Sequence, residues 1–165
     1  MNDRGRKPVS YVERNLIPGE QVLYQTGLHW IVFVWPVFFA AIFGLVGLPL
    51  VFVRDGGIAG VMLLAFAALL IWFGYLIRKA TEMAVTNKRV VIKTGLLSRR
   101  TFELLLSKVE SIGVEEGLLG RMLGYGSVIV RGTGGTPEPF KNITAPLEFR
   151  RQVQQRVEER EQKNP

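Results

Sequence analysis

The stretch His29–Val53, HWIVFVWPVFFAAIFGLVGLPLVFV, decides the architecture of this chain, because after His29 it contains no Asp, Glu, Lys or Arg. A second run, Gly56–Ile77, reads GGIAGVMLLAFAALLIWFGYLI and is also free of formal charge. A helix needs roughly 20 apolar residues to cross a bilayer. Both runs reach that length and exceed the length of a buried strand. The sequence therefore predicts two transmembrane helices, at about residues 30–53 and 56–77.

The connection between the two runs is short, since only Arg54 and Asp55 separate them. Such a link predicts an antiparallel hairpin with both chain termini on one side of the membrane. Basic residues flank the outer ends of the hairpin: Arg4, Arg6, Lys7 and Arg14 before it, and Arg78 and Lys79 after it. The positive-inside rule then predicts that both termini are cytoplasmic. A cleaved signal peptide is the alternative for the first run, but that run starts late and a second follows at once.

Small residues recur within both apolar runs. Ala40 and Gly44 are four residues apart, and Gly60, Ala67 and Gly74 recur at intervals of seven. Small side chains allow two membrane helices to approach closely. The pattern predicts packing within the hairpin, with a seam between copies of the chain as the alternative.

The composition limits the chemistry that the chain could perform. It has no cysteine and a single histidine, His29, so thiolate chemistry and a histidine-based metal site or catalytic dyad within one chain have no support. No ionisable residue lies inside either apolar run, which argues against a channel or carrier. The formal net charge of +7 favours acidic partners, and the apolar runs make lipid a nearer candidate than nucleic acid.

The pattern changes to short strands after Lys79. Thr81–Thr86 and Arg89–Lys93 flank Asn87-Lys88, a plausible two-residue hairpin. Further strands and one short helical turn are predicted downstream, at residues 99–106, 108–115, 118–123 (the helical turn), 127–132 and 140–143. Residues 22–26 alternate like a strand and are predicted to join the same sheet. The predicted organisation is an N-terminal segment at 1–29, the hairpin at 30–77 and a cytoplasmic domain at 78–165.

The end of the chain predicts an amphipathic helix. Pro146 suits a first helical turn, and Phe149, Val153 and Val157 recur every four residues. A run of strands followed by one helix predicts a small β-barrel or sandwich closed by that helix. The fold class is thus a membrane helical hairpin plus a mainly β domain.

Several segments resemble one known family. TEMAVTNKRVVIKTG (81–95), KVESI (108–112), GRMLGYG (120–126) and Asn142-Ile143 with Pro146 resemble bacterial pleckstrin-homology (PH) domains of the membrane-anchored type, in which a two-helix hairpin precedes the domain. The resemblance covers about residues 16–160. It implies a bent antiparallel sheet or barrel capped by the last helix, in a bacterial plasma membrane protein. It implies no catalysis and no cofactor, and it provides no functional residues to transfer.

The sequence contains no convincing enzyme motif. The pairs Glu115-Glu116 and Glu158-Glu159 are sequential, so their side chains point in different directions and predict a solvated surface. Gly132–Pro137 is rich in glycine but lacks the Lys-Ser/Thr of a phosphate loop and does not open a helix. The sequence therefore predicts no catalytic, cofactor-binding or metal-binding residues.

Basic residues give the remaining signal. Residues 78–165 contain 16 Lys and Arg against 10 Asp and Glu. The predicted contacts to an anionic lipid surface are Arg78, Lys79, Lys88, Arg89, Lys93, Arg99, Arg100 and Lys108. The alternative is charge that only sets topology and solubility. The aromatics that nucleic-acid binding requires are not interleaved with these residues, so no nucleic-acid partner is predicted.

Two functional classes follow from these observations. The favoured hypothesis is a non-enzymatic membrane scaffold whose domain binds protein partners or copies of itself. The alternative hypothesis is a domain that binds or senses anionic phospholipid headgroups.

Overall fold

The computed structural model describes residues 10–96, 98 and 100–163, and these fall into two compact units. Residues 29–80 form the helical unit. The chain up to Leu28 and the chain from Thr81 onward together form the β unit. Arg99, one of the predicted basic contacts, lies outside the described residues.

The helical unit contains the two long apolar helices. A 3-10 turn at Trp30–Phe33 leads into α2, Val34–Val51, and α3 runs over Gly57–Ala80. The segments Trp30–Val51 and Gly57–Ala80 contain 22 and 24 residues and have mean hydropathies of 2.5 and 2.3, so their length and composition are those of membrane spans. Few of their residues are buried. Helix α3 extends three residues past its predicted end, because Arg, Lys and Ala all favour helix.

The small residues lie between the two helices, as predicted for packing within the hairpin. The buried residues of α3 are Gly60, Ala67 and Gly74, and those of α2 are Ala40 and Gly47. Gly44, however, has open space where a Cβ would lie, so it takes no part in this packing. Glycine at these positions allows the backbones to approach closely.

The β unit contains two antiparallel sheets. The first has the order β1-β2-β3-β4 and the second the order β5-β6-β7. In chain order the strands are β1 Val22–Gly27, β2 Glu82–Thr86, β3 Arg89–Thr94, β4 Arg100–Leu105, β5 Val109–Glu115, β6 Tyr125–Gly132 and β7 Glu138–Thr144. The prediction that residues 22–26 join the sheet is confirmed, since β1 pairs with β2.

The sheets do not close into a barrel within the described residues. One isolated bridge, Leu28 to Ile143, and a hydrogen bond of 2.8 Å from the Thr26 hydroxyl to the carbonyl oxygen of Thr144 join β1 to β7. Strand β7 is longer than predicted because it passes through Pro139. It lies at the edge of its sheet, where a missing N–H does not interrupt the ladder.

Three helices complete the β unit. They are α1 Tyr11–Arg14, α4 Leu118–Leu123 and α5 Pro146–Lys163. The predicted apolar stripe of α5 is confirmed, since Phe149 and Val153 are fully buried and Val157 packs against the same core. The Phe149 ring lies 6.4 Å from that of Tyr24 in β1. Thus α5 caps a core to which β1, from before the first apolar helix, also contributes.

The two ends of the first sheet differ in what they carry. The chain leaves the β unit after Leu28 and returns at Thr81, and both lie at one end of the β1–β2 pair, where Gly27 opposes Glu82. We call this the connection end. The other end, which we call the turn end, holds the Asn87-Lys88 turn between β2 and β3. At about 3.3 Å per strand residue, the two ends are roughly 15–20 Å apart.

Candidate functional site

The predicted basic contacts belong to both units. Arg78 and Lys79 belong to α3, and each lies over an aromatic ring of the helical unit. The Arg78 guanidinium is 5.9 Å from the centre of the Phe33 ring, and the Lys79 ammonium is 4.8 Å from the centre of the Tyr75 ring. These cation–π contacts hold both charges on the last turns of α3.

Arg89 is engaged in a network inside the β unit. Its Nε donates to Glu20 Oε1 at 2.9 Å, and its Nη2 donates to Glu20 Oε2 at 3.0 Å and to the carbonyl oxygen of Asn15 at 2.8 Å. Its Nη1 donates to Glu103. Two carboxylates therefore balance this guanidinium, which argues for a structural role rather than ligand binding.

The same network shifts the pKa values of both partners. Burial by itself raises the pKa of Glu20, but hydrogen bonds from Arg89, the Ile17 amide and the Thr86 hydroxyl lower it below its ordinary value. The hydrogen bond to Glu20 raises the pKa of Arg89. Each charged form is thus stabilised by the other.

Lys93 and Arg100 lie at the connection end. Lys93 opposes Glu82 across the β2–β3 pair, and its ammonium lies 4.5 Å from the centre of the Tyr11 ring. Arg100 donates to Glu138 at 2.8 Å, in an ion pair between β4 and β7. Both of these cations therefore have partners, an aromatic ring for Lys93 and a carboxylate for Arg100.

Lys88 and Lys108 lie at the turn end. The carbonyl oxygen of Lys88 accepts a hydrogen bond of 3.0 Å from the Leu106 amide, which holds the β2–β3 turn against the 3-10 turn at Leu106–Lys108. The Lys88 ammonium donates to the carbonyl oxygen of Pro18 at 2.7 Å. The structure therefore divides the predicted basic residues of the β unit between its two ends.

Asn87 fixes the turn at this end to the residues before β1. Its Oδ1 accepts from the Gln21 amide at 3.0 Å, and its Nδ2 donates to the carbonyl oxygen of Gly19 at 3.0 Å.

We expect Asn87→Ala to destabilise the pairing of β1 with β2 by about 1–2 kcal/mol, since both side-chain hydrogen bonds of Asn87 are lost. Amide hydrogen exchange in β1 measures this. Asn15→Ala, which removes one exposed hydrogen bond to Tyr11, is the control and should leave β1 unchanged.

A cleft of about 880 Å³ opens at the turn end. It lies between the β2–β3 turn, the 3-10 turn at Leu106–Lys108 and the last turns of α5. Its lining is partly apolar, with Leu23, Leu106, Val109 and Val157, and partly polar, with Asn87, Lys88, Ser107, Arg156, Glu159 and Arg160, a polar set that we call the rim. Lys108 itself does not line the cleft, although its two neighbours do.

The rim carries a surplus of positive charge. Lys88, Arg156 and Arg160 contribute three cations against the single carboxylate of Glu159. Arg156 donates to Glu159 through Nη1, but its buried Nε has no hydrogen-bond partner within the described part of the chain. Buried polar groups are normally paired, so this donor is an exception among the described residues. The cleft is suited to a ligand that combines negative charge with apolar surface.

Sequence reasoning missed Arg156 and Arg160. Both lie on α5, where mixed charges indicated only a solvated face. A usable signal was present, because Arg156 precedes Val157 of the apolar stripe and Arg160 follows it one turn later. Charges beside a buried stripe lie at the margin of the helix–sheet contact, where clefts form.

The described residues hold no cluster of side chains suited to a metal ion. No group of three or more His, Cys, Asp or Glu side chains that could hold a metal occurs among residues 10–96, 98 and 100–163. The Nδ1 atom of His29 accepts a hydrogen bond from the Ile31 amide at 3.2 Å and thereby caps a 3-10 turn.

Comparisons with known proteins agree with this architecture. No curated protein and no solved structure matches the chain. A family model described as "Bacterial PH domain" matches residues 37–157, which cover part of the helical unit and most of the β unit. Because that match spans well over half of the sequence and bears out the resemblance seen in its motifs, the chain belongs to the bacterial PH domain family.

Proposed function

We propose that this protein is a non-enzymatic integral membrane protein whose β unit binds protein partners at the cytoplasmic surface. Family membership supports an interaction module, since PH domains bind proteins or lipids and are generally non-catalytic. The two apolar helices supply the anchor in this proposal. The cleft at the turn end is the observation that carries it.

The chemistry of the cleft favours a segment of protein that is both acidic and apolar. Leu23, which is 38% exposed, and Val157 offer apolar surface to a side chain, while Lys88, Arg156 and Arg160 offer donors to carboxylates. Arginine-rich sites that combine apolar contact with charge are typical of protein recognition. A cleft of this size accommodates a few side chains of a partner.

The location of the cleft favours protein over lipid. The chain continues into the apolar helices directly from Leu28 and Thr81, with no linker, at the connection end. In a membrane-anchored protein we infer that this end is the nearer one to the bilayer. The cleft lies at the opposite end of the β1–β2 pair from these two connections.

Site-specific photocrosslinking in native membranes tests this function. A photoreactive amino acid at Ser107, which is exposed and lines the cleft, should form discrete protein adducts that mass spectrometry identifies. The same group at Arg131, an exposed position on β6, should not form them. Changing Lys88, Arg156 and Arg160 to Ser should abolish the Ser107 adducts, because the charged rim is gone.

A charge-matched variant separates cleft chemistry from general charge. Changing Arg131, Lys141 and Arg150 to Ser removes the same three charges from exposed positions outside the cleft. Adducts at Ser107 should persist in that variant. Equal loss in both variants would contradict the proposed cleft, and adducts to lipid alone would contradict a protein partner.

The proposed topology has its own test. Both termini are proposed to be cytoplasmic, on the basic residues that flank the hairpin. A reporter that works only in the cytoplasm should be active when it is fused to the C-terminus. Activity of a reporter that works only outside the cytoplasm, fused at the same place, would overturn the orientation.

Anionic lipid binding is the second candidate function. The cations of Arg78 and Lys79 lie over the rings of Phe33 and Tyr75 at the end of α3, an arrangement suited to a membrane interface. The purified full-length protein should then retain phosphatidylglycerol over phosphatidylcholine. Substituting Arg78 and Lys79 with Ser should remove that preference if these residues carry it.

A further inference from the structure

Helix α4 exposes large apolar side chains on the surface of the β unit. The exposed fractions are 87% for Leu118, 65% for Leu119, 81% for Met122 and 42% for Leu123. The only buried residue of the helix is Gly120. A helix on the surface of a soluble domain normally directs its leucine side chains toward the core. Here the inner face is glycine and the leucines point to solvent.

The packing of α4 on the sheet keeps this orientation. A Cβ at Gly120 would overlap the carbonyl oxygen of Tyr125, so the helix lies with its backbone close to β6. Gly124 ends the helix in the left-handed region, with φ 76°, and its amide donates to the carbonyl oxygen of Gly120. A left-handed residue at this position favours glycine. The sequence of α4 is therefore built to hold its apolar side chains outward.

Hydrogen bonds place α4 close to where the chain leaves and re-enters the β unit. The Ala145 amide donates to the carbonyl oxygen of Gly124 at 3.0 Å, directly after α4. The carbonyl oxygen of the preceding residue, Thr144, accepts a hydrogen bond from the Thr26 hydroxyl. Thr26 is two residues before Leu28, where the chain leaves the β unit. Helix α4 thus lies on the side of the second sheet that adjoins the connection end.

We propose that α4 inserts its apolar side chains into the interfacial region of the membrane that anchors the protein. This inference rests on the proposed membrane anchoring. The helix projects four apolar side chains and offers no groove, a form that suits the acyl boundary of a bilayer better than a protein pocket. A helix that lies in the membrane interface buries its apolar face roughly 5–10 Å into the boundary between headgroups and acyl chains.

The charges around α4 indicate contact with acyl chains rather than with anionic headgroups. Arg121 is the single cation of the helix, and Glu115 and Glu116 lie just before it. The local balance gives no electrostatic attraction to an anionic surface. Insertion should therefore proceed in zwitterionic lipid and resist high salt, which distinguishes it from the lipid-headgroup function considered above.

Single-cysteine labelling of the full-length protein tests the proposal, since the chain has no cysteine of its own. Leu118→Cys, labelled with an environment-sensitive fluorophore, is reconstituted in phosphatidylcholine vesicles that contain a lipid-attached quencher. We expect about fivefold more quenching than for the same label at Ser107→Cys, and no change in high salt. Equal quenching at the two positions would overturn the proposal.

A third label separates this inference from the anchor itself. Leu45→Cys reports on α2, where the side chain is 77% exposed. An unquenched label at residue 45 would overturn the anchoring and, with it, the inference. A quenched label at residue 45 with an unquenched one at residue 118 would overturn the α4 proposal alone. A residue 118 label that is shielded from water in native membranes yet escapes the lipid quencher would indicate a protein partner and also contradict it.

A second substitution confirms that the helix, rather than the label, enters the lipid. In the Leu118→Cys background, Leu119→Ser with Met122→Ser should reduce quenching severalfold, because the apolar surface is lost. The conservative pair Leu119→Met with Met122→Leu should preserve it. Equal quenching in both backgrounds would show that the fluorophore alone inserts, and would overturn the proposal.

Discussion

Glu20→Ala is expected to destabilise the β unit by about 3–5 kcal/mol, the cost of leaving a buried charge without its partner. The Glu20 side chain is 0% exposed, and it accepts hydrogen bonds from Arg89, the Thr86 hydroxyl and the Ile17 amide. Its removal leaves the Arg89 guanidinium, whose side chain is 12% exposed, with the half-exposed Glu103 as its remaining carboxylate. It also leaves the Ile17 amide without its acceptor, which adds a desolvation penalty.

Hydrogen exchange of the β2 and β3 amides in the full-length protein measures this cost. Exchange should accelerate by at least about 100-fold, since each 1.4 kcal/mol corresponds to a factor of ten. Glu103→Ala is the matched control because Glu103 also pairs with Arg89 but is 40% exposed, and exposed ion pairs contribute at most about 1 kcal/mol. Equal acceleration in the two variants would refute a special role for the buried pair.

The same carboxylate predicts how stability depends on pH. The pKa of Glu20 is lowered in the folded protein from its ordinary value of 4.5. Its contribution is therefore complete above pH 4.5 and is lost as the pH falls through the lower, folded value. After correction for intrinsic rates, exchange in β2 and β3 should rise in acid in the natural sequence. Glu20→Ala should lack the part of this rise that Glu20 causes.

The parts of the fold that local patterns control could be predicted from the sequence. Two uncharged runs predicted two apolar helices, and the Asn87-Lys88 pair predicted the β2–β3 hairpin. The spacing of Phe149 and Val153 predicted the buried stripe of α5. In each case the signal lies within one or two turns or strands, where periodicity reports directly on burial.

The features that carry function depend on contacts between distant residues. Glu20 and Arg89 are 69 residues apart and separated by both apolar helices, so nothing local links their charges. The cleft likewise requires the end of α5 to meet the β2–β3 turn. The exposure of α4 was hidden for another reason. Leucine is usually a core residue, and the burial of Gly120 on the inner face is what leaves these leucines exposed.

Gly60→Ala tests the packing of the hairpin, and its outcome follows from backbone rather than side-chain geometry. A Cβ at Gly60 would lie 2.5 Å from the Val51 nitrogen and 2.7 Å from the carbonyl oxygen of Gly47. Backbone atoms cannot rotate away as a flexible side chain can, so α2 and α3 must separate. Such overpacking costs about 1–3 kcal/mol and also loosens the neighbouring contacts.

Gly44→Ala is the matched control, because it adds the same methyl group to a helix where nothing lies within 4 Å of the new atom. Alanine has a higher helix propensity than glycine, by about 1 kcal/mol, so this variant should be as stable as the natural sequence or slightly more stable.

The chain has three tryptophans, Trp30, Trp35 and Trp72, and all of them lie in the helical unit. Intrinsic fluorescence during titration with SDS therefore reports on this unit alone. Gly60→Ala should unfold at a clearly lower SDS fraction than the natural sequence. If it unfolds together with Gly44→Ala, the close approach at Gly60 does not stabilise the hairpin, and the seven-residue spacing of Gly60, Ala67 and Gly74 must then be explained by contacts between copies of the chain.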